Sequence, residues 1–204
     1  MSYSQIGQDL EVVKFYNNKE LGFFIEIGAS DGIYCSNTYL LEKQYNWKGI
    51  CCEPIPNLFE KLVINRPNSI CFSEALYNET GLTLSFDIAH NCDMLSGIAE
   101  HIDKHKSLVD ANKTSIKVQT ITLLDVLNKV NAPSFIEYMS LDTEGSELEI
   151  LKSFDFEKYI FGLIHVEHNF VEPRRTEINT LLLSKGYIYQ GENKWDDVYK
   201  HNSV

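Results

Sequence analysis

The sequence predicts an α/β fold built on a doubly wound, mostly parallel sheet with helices on both faces. Five short runs of apolar and β-branched residues recur along the chain, and they are almost continuously apolar, as in strands that helices cover on both sides. Helical spacing fills most of the gaps between them. A length of 204 residues, 44% of them hydrophobic, suits one domain over residues 1–204.

The predicted elements follow in chain order. The predicted strands span residues 22–28, 49–54, 69–76, 135–142 and 161–168. Helical spacing precedes the second and third strands and follows the fourth, at Tyr39 to Lys43, Leu58 to Val63 and Leu148 to Leu151. Residues 77–134 break this rhythm, since "LTLSFDIA" and "IKVQTITL" predict extra strands around a polar helical stretch at 97–112. We interpret 77–134 as an insertion between the third and fourth strands of the sheet, close to the site.

The charge balance limits the partners. Eighteen basic and 29 acidic residues leave a net charge of -11, which repels phosphate backbones and anionic membranes, so we expect no nucleic-acid partner. The longest apolar runs have the length of strands, which predicts no membrane span. Five cysteines without a C-x-x-C pair are typical of a reducing compartment, and we expect a cytoplasmic protein.

Acidic residues and glycines follow the first three predicted strands. Ligands of open α/β sheets bind beyond the carboxyl ends of the strands. Glu26 ends the first strand, and Gly28 and Gly32 then permit a tight turn into a helix. Glu53 could bind both ribose hydroxyls of an adenosine, and Glu74 could reach the adenine. Each acid alone is also explained by a solvated loop, and the G-x-x-x-G spacing departs from the usual dinucleotide fingerprint.

The fourth strand runs into "SLDTEGSELEIL", which contains two kinds of acidic residue. Ser146 and Glu149 have the spacing of a capping box, and Glu147 lies in the first turn of the same predicted helix. Starting a helix requires neither Asp142 nor Glu144. These two are therefore the candidates for chemistry.

The fifth strand ends in "HVEHN", so Glu167 and His168 would lie beside Asp142 at the same edge of the sheet. Two carboxylates and an imidazole predict a site for Mg²⁺ or Mn²⁺. The alternative is that Glu167 and His168 are simply polar residues where a strand leaves the core. In a further alternative His168 is the general base, because its unperturbed pKa lies near neutrality.

Several blocks, in order, resemble one family. They are "SQIGQD" at 4–9, "GFFIEIGASDG" at 22–32, "SNTYLLEK" at 36–43, "WKGICCEP" at 47–54 and "LDTEGSELEIL" at 141–151. Together these blocks resemble the FkbM-type methyltransferases, which use S-adenosylmethionine and have the class I, Rossmann-like methyltransferase fold. The resemblance extends over nearly the whole chain.

This resemblance implies a set of cofactor contacts. The methionine end would be lined by Glu26, Gly28, Ala29, Asp31 and Asn37, the ribose by Glu53, and the adenine by Glu74 and Ala75. Residues 1–20 would form an N-terminal cap over the site, with Gln5 or Gln8 as contacts.

A second resemblance concerns the reaction. Metal-dependent O-methyltransferases of antibiotic sugars have an Asp at the fourth strand end, an acidic pair at the next, and a base just after the Asp. Here Asp142, Glu167 and His168 would match the metal ligands and Glu144 the base, with a histidine in place of the expected acid. We therefore expect methyl transfer to a sugar or glycan hydroxyl with Mn²⁺ or Mg²⁺, either alone or within a larger glycan-synthesising protein. The alternatives are an NAD-dependent oxidoreductase and an inactive cofactor-binding domain in an assembly.

Other polar residues have simpler explanations. His101 and His105 are four residues apart in "EHIDKH", a spacing that can hold a metal on one helix face. Without the glutamate of H-E-x-x-H, a solvated face explains them better. His90, Asn91 and Asp93 lie in the insertion and could touch substrate, although a polar loop explains them as well.

Overall fold

The computed structural model describes residues 1–90 and 92–204. The strands are β1 Phe23–Ile27, β2 Lys48–Cys52, β3 Ile70–Phe72, β4 Ala75–Leu76, β5 Thr83–Ala89, β6 Gly97–Ile98, β7 Lys113–Ile121, β8 Phe135–Leu141, β9 Ile160–Glu167, β10 Tyr187–Asn193 and β11 Asp196–His201. The α-helices are α1 Gln8–Phe15, α2 Tyr39–Tyr45, α3 Pro56–Asn65, α4 Lys106–Ala111, α5 Leu123–Lys129, α6 Glu147–Lys152 and α7 Arg174–Ser184. A short 3₁₀ turn covers Asp93–Leu95.

A seven-stranded sheet has the order β10-β11-β9-β8-β1-β2-β3. Within this sheet, strands β9, β8, β1, β2 and β3 are parallel to one another. Strand β11 is antiparallel to both of its neighbours, β9 and β10. The chain order reverses between β1 and β8, which is where ligands bind in such sheets. The two strand ends are very close there, since a Cβ added at Gly28 would lie 2.1 Å from the carbonyl oxygen of Asp142. The predicted doubly wound fold is confirmed.

Helices cover both faces of the sheet, as predicted. Along β1, Ile25 packs in one core and Phe24 in another, because successive side chains of a strand point to opposite faces. Helices α5, α6 and α7 close the first core with Leu127, Leu151 and Leu182. Helices α1, α2 and α3 close the second with Val12, Leu41 and Leu62. Burial on both faces explains the nearly continuous apolar runs.

The insertion forms a second sheet of four strands in the order β4-β7-β5-β6. The two extra strands predicted from "LTLSFDIA" and "IKVQTITL" are present as β5 and β7, which pair antiparallel. The single strand predicted at 69–76 is divided: Ile70–Phe72 stays in the main sheet and Ala75–Leu76 joins the second. Of the polar stretch at 97–112, only Lys106–Ala111 is α-helical. The chain therefore leaves the main sheet at Glu74, beside the ligand-binding edge.

A buried arginine joins the elements under β1. The Arg66 side chain is inaccessible to solvent and its Nε donates to Glu42, 2.7 Å away, while Nη2 donates to Thr38 at 2.9 Å. Its Nη1 lies 3.4 Å from Glu26, whose carboxylate also accepts from Thr38 and from the backbone N–H of Asn37. The guanidinium thus neutralises two buried carboxylates and joins the start of α2 to the end of α3.

We expect Arg66→Met to lower the free energy of unfolding by about 3 to 5 kcal/mol, because the substitution leaves Glu26 and Glu42 buried without their cation. Urea denaturation followed by circular dichroism measures the loss. The control is Lys43→Met, whose half-exposed ammonium lies 3.7 Å from Glu42 and whose removal should cost less than about 1 kcal/mol. Equal losses in the two variants would contradict the assigned role of Arg66.

Candidate active site

A cavity lies beyond the carboxyl ends of β1, β2 and β8. The turns after these strands form its floor, the insertion forms one wall, and the N-terminal residues reach its rim. Of the residues predicted to bind a cofactor, those that line it are Gln8, Gly28, Ala29, Asn37, Glu53, Glu74 and Ala75, together with Gln5.

Two residues from the predicted set lie outside this lining. Glu26 points into the second core, where hydrogen bonds and Arg66 engage its carboxylate. Asp31 closes the turn after β1 on itself, since its Oδ1 accepts from the backbone N–H groups of Ile33 and Tyr34 at 2.9 and 2.8 Å. Both carboxylates therefore make hydrogen bonds that stabilise the fold, and neither lines the cavity.

Glu53 follows β2 and is held by the backbone. Its Oε2 accepts from the N–H of Ser30 at 2.9 Å and its Oε1 from the N–H of Ile55 at 2.8 Å. Burial and, to a smaller extent, the charge of Asp93 raise the pKa of Glu53 to about 7, although the two hydrogen bonds oppose this shift. The carboxylate is thus fixed in orientation at the cavity wall and titrates near neutrality.

Asn37 presents an unpaired acceptor. Its Nδ2 donates to Oγ of Ser140 at 2.8 Å, which sets the orientation of the amide. The amide Oδ1 is buried and has no hydrogen-bond partner among the described residues. Because an unpaired buried acceptor is unfavourable, this oxygen suits a ligand that carries a hydrogen-bond donor, such as an ammonium group.

The apolar part of the cavity comes largely from residues that sequence reasoning missed. Ile55 and Leu58, at the start of α3, pack with Phe86 and Ile98 of the insertion, and all four line the cavity. Nothing in the local sequence separates these side chains from ordinary core residues. They form a pocket suited to a flat aromatic ring.

The N-terminal strap, residues 1–7, is bound to the body of the protein. Asp9 is fully buried and its carboxylate accepts from Oγ of Ser2 at 2.6 Å and Oγ of Ser4 at 2.7 Å. Ser4 also forms a β-bridge with Cys35, a residue of the cavity wall. These contacts bring Gln5 to the rim of the cavity. Asp9, the residue that organises the strap, carried no signal in the sequence alone.

Three carboxyl groups converge at the ends of β8 and β9. One oxygen each from Asp142, Glu144 and Glu167 lies within 4.8 Å of the others. Burial, and then neighbouring negative charges, raise the pKa of Asp142 to about 8 and that of Glu144 to about 9, and the pKa of Glu167 is also well above its usual range. Repulsion at this distance means that they cannot all ionise without a compensating cation.

This carboxyl cluster fits a hard divalent cation. Carboxylate oxygens are the ligands that Mg²⁺ and Mn²⁺ prefer. Glu167 Oε2 is buried without a hydrogen-bond partner among the described residues, so it has a free coordination position. Asp142 and Glu144 line the cavity, which places the cluster within reach of a bound substrate.

Of the expected trio, Asp142 and Glu167 lie together with Glu144, whereas His168 lies in a separate group with Glu192 and Asp197. His168 Nδ1 accepts the backbone N–H of Phe170 at 2.9 Å, and burial lowers the pKa of the ring. The neutral ring therefore carries its proton on Nε2, which faces Asp197 at 3.6 Å. His168 therefore lies outside the carboxyl cluster, and its Nε2 has no hydrogen-bond partner among the described residues.

The capping box predicted at Ser146 is absent, since Ser146 makes no side-chain capping hydrogen bond. Glu147 is fully buried instead, and its Oε1 accepts from the backbone N–H of Thr143 at 2.9 Å and of Gly145 at 3.0 Å. It thereby holds the turn in which Glu144 adopts a left-handed φ of 57°. The acidic residue of the first helical turn thus shapes the loop that carries Glu144.

His101 and Asp93, two candidate residues of the insertion, are not members of the carboxyl cluster. His101 is hydrogen-bonded to Tyr77 at 2.8 Å, and it lies in a turn instead of a helix. Asp93 lines the cavity. Asn91 lies outside the described residues.

None of the described helices is both long and apolar enough to cross a membrane.

Solved structures share this architecture at low identity. Precorrin-6y C5,15-methyltransferase from Geobacter metallireducens GS-15 is 10% identical with a TM-score of 0.50, covering 94% of this chain and 86% of its own. The METTL16 methyltransferase domain is 13% identical with a TM-score of 0.51, covering 96% of this chain and 65% of its own. No curated protein sequence matches this one. The structural likenesses show the fold, which is that of class I methyltransferases.

The family model of the methyltransferase FkbM domain matches residues 26–189. That range contains the turns after β1, β2 and β8, the insertion and the carboxyl cluster. Sequence and fold therefore agree on the class of enzyme, and the chain belongs to the FkbM family of S-adenosylmethionine-dependent methyltransferases.

Proposed function

We propose that this protein transfers a methyl group from S-adenosylmethionine to a hydroxyl of a sugar or glycan, assisted by Mn²⁺ or Mg²⁺. The observation that carries the proposal is the cluster of Asp142, Glu144 and Glu167 at the edge of the cavity, for which no ion pair with a basic side chain is described within residues 1–90 and 92–204. Membership of a methyltransferase family gives no support to the NAD-dependent alternative.

The cofactor would lie across the ends of β1 and β2. Gly28 and Ala29 let the backbone approach its methionine end, and Asn37 Oδ1 would accept a hydrogen bond from the ammonium group. Glu53 would accept from the ribose hydroxyls. Ala75 would border the adenine together with Glu74 and the apolar pocket. Gln8 would contact the cofactor from the N-terminal side of the cavity.

Asp142 and Glu167 would hold the cation. A bound divalent cation lowers the pKa of a coordinated hydroxyl, and bound S-adenosylmethionine provides an already activated methyl group. The residues of the chain then serve mainly to align the acceptor oxygen with that methyl group. The backbone of Asp142 contacts the turn after β1 at Gly28. The proposed cation site is therefore directly beside the proposed cofactor site, which would help to align the acceptor oxygen with the methyl group.

Glu144 would act as the base. As the acceptor O–H bond breaks, its proton passes to the Glu144 carboxylate and the oxygen forms the new O–CH₃ bond. The S–CH₃ bond breaks with its electron pair staying on sulfur, which leaves S-adenosylhomocysteine. A base near the attacking oxygen is required because sugar hydroxyls are weak acids.

The acceptor class rests on chemistry and resemblance. Vicinal sugar hydroxyls can chelate a hard cation through two oxygens. The net charge of -11 disfavours nucleic acid. A cytoplasmic location and a place in a larger glycan-synthesising protein are part of this proposal. The second candidate, an inactive cofactor-binding domain, is distinguished by the absence of turnover.

Methyl transfer from radiolabelled S-adenosylmethionine to a panel of nucleotide sugars and short glycans tests the proposed activity. We expect product with Mn²⁺ or Mg²⁺ and a loss of at least about 10²-fold with EDTA, because coordination of the hydroxyl is lost. Asp142→Asn should lose Mn²⁺ binding in calorimetry, whereas the neighbouring, partly exposed Glu149→Gln should retain it. Transfer that EDTA leaves unchanged would contradict the role of the cation.

Glu144→Gln should lower kcat by about 10² to 10⁴-fold, the usual contribution of a general base, because an amide cannot accept the acceptor's proton. We expect the affinities for Mn²⁺ and for S-adenosylmethionine to change by less than about threefold, since Asp142 and Glu167 remain. Loss of Mn²⁺ binding in this variant would instead assign Glu144 to the cation.

The affinity for S-adenosylmethionine should fall about tenfold between pH 8 and pH 6. Glu53, with a pKa of about 7, is ionised at pH 8 and largely protonated at pH 6, and only the carboxylate accepts from both ribose hydroxyls. Calorimetry without metal measures this change. Glu53→Gln should bind weakly at both values, and Glu74→Gln should retain the pH dependence. A dependence that persists in Glu53→Gln would assign the titration to another group.

A further inference from the structure

We propose that Asn169 is the positioning residue that orients the Glu144 carboxylate for proton removal. Its Nδ2 donates to Glu144 Oε2 at 3.3 Å, and the two side chains are both more than nine-tenths buried. The inference rests on the proposed role of Glu144 as a base. It does not depend on the identity of the acceptor.

Two separate parts of the chain hold the backbone of Asn169 in place. Its carbonyl oxygen accepts from Lys104 Nζ of the insertion at 3.1 Å, and its backbone N–H faces the carbonyl of Trp195, between β10 and β11, at 3.4 Å. The residue has a φ of 48°, in the left-handed region that asparagine tolerates better than most side chains. A side-chain amide on a backbone held in this way can fix the orientation of its partner.

The turn that carries Glu144 has other supports for its backbone. Glu147 accepts from the N–H of Gly145, and Arg174 Nη1 donates to the carbonyl of Gly145 at 3.0 Å. The carbonyl oxygen of His101 packs so closely that a Cβ at Gly145 would lie 2.1 Å from it. Removal of the Asn169 amide should therefore leave the path of the turn unchanged and release only the Glu144 side chain.

The hydrogen bond also distinguishes the two oxygens of Glu144. Within residues 1–90 and 92–204, no hydrogen bond to a protein group is described for Oε1, while the Asn169 amide engages Oε2. The acceptor's proton would therefore pass to Oε1. A neutral amide suits this position, because it orients the carboxylate without adding the full positive charge that would make it a weaker base.

Asn169→Gly and Asn169→Asp test this inference, since glycine and aspartate tolerate the left-handed φ and neither side chain can donate as the amide does. We expect each to lower kcat by about 10- to 100-fold, the size of a hydrogen bond to a charged group, with the KM of the acceptor unchanged in Asn169→Gly. The control is Asn131→Gly, which has a similar φ of 50° beyond α5 and should keep full activity.

A double-mutant cycle separates positioning from folding. In a Glu144→Gln background, Asn169→Gly should change kcat by less than about twofold, because the group that it orients is already absent. Full additivity of the two losses, or unchanged kcat in Asn169→Gly, would overturn the inference. If the wild type methylates a non-sugar acceptor, only the proposed acceptor class fails, and the cycle still tests Asn169 with that acceptor.

Discussion

The mutual repulsion of three closely spaced carboxyl groups, two of them buried, is the constraint on which the ligand-binding edge of the sheet depends. Asp142, Glu144 and Glu167 lie at the ends of adjacent parallel strands, where the geometry of the sheet brings them together. Burial and like charge disfavour their ionised forms. Such an arrangement is unfavourable for stability alone, and it persists because the surrounding turns are fixed by Glu147 and by the insertion.

The acidic residues of the interior differ in whether a basic side chain pairs with them. Behind β1, Glu26 and Glu42 share the guanidinium of Arg66, so the charges are neutralised within the chain. At the cavity, the part of the chain that the structure describes shows no ion pair to Asp142, Glu144 or Glu167, although the charge of Arg174 acts on Glu144. This contrast separates structural acids from those that can serve chemistry, and it explains why Glu26 stabilises the fold even though its sequence position resembles that of a cofactor ligand.

The insertion connects the two halves of the site. Its strands β5 and β6 provide Phe86 and Ile98 to the apolar end of the cavity. Its loop reaches the carboxyl end through His101 and Lys104, which contact the turns after β8 and β9. A displacement of the insertion would thus affect both the cofactor pocket and the orientation of Glu144. The link between the cofactor pocket and Glu144 exists only in the folded protein, because the elements that form it are distant in sequence.

The sequence by itself determined the doubly wound sheet, the strands of the insertion and the acids at the strand ends, because apolar periodicity and strand direction are encoded locally. It also predicted that Asp142, Glu167 and His168 would converge at one edge, of which Asp142 and Glu167 lie together in the structure. Only the tertiary structure decided that His168 is withdrawn from the site by Phe170, that Glu26 pairs with Arg66, and that Asn169 reaches Glu144. Those outcomes depend on side-chain contacts between elements, whose distances no local pattern specifies.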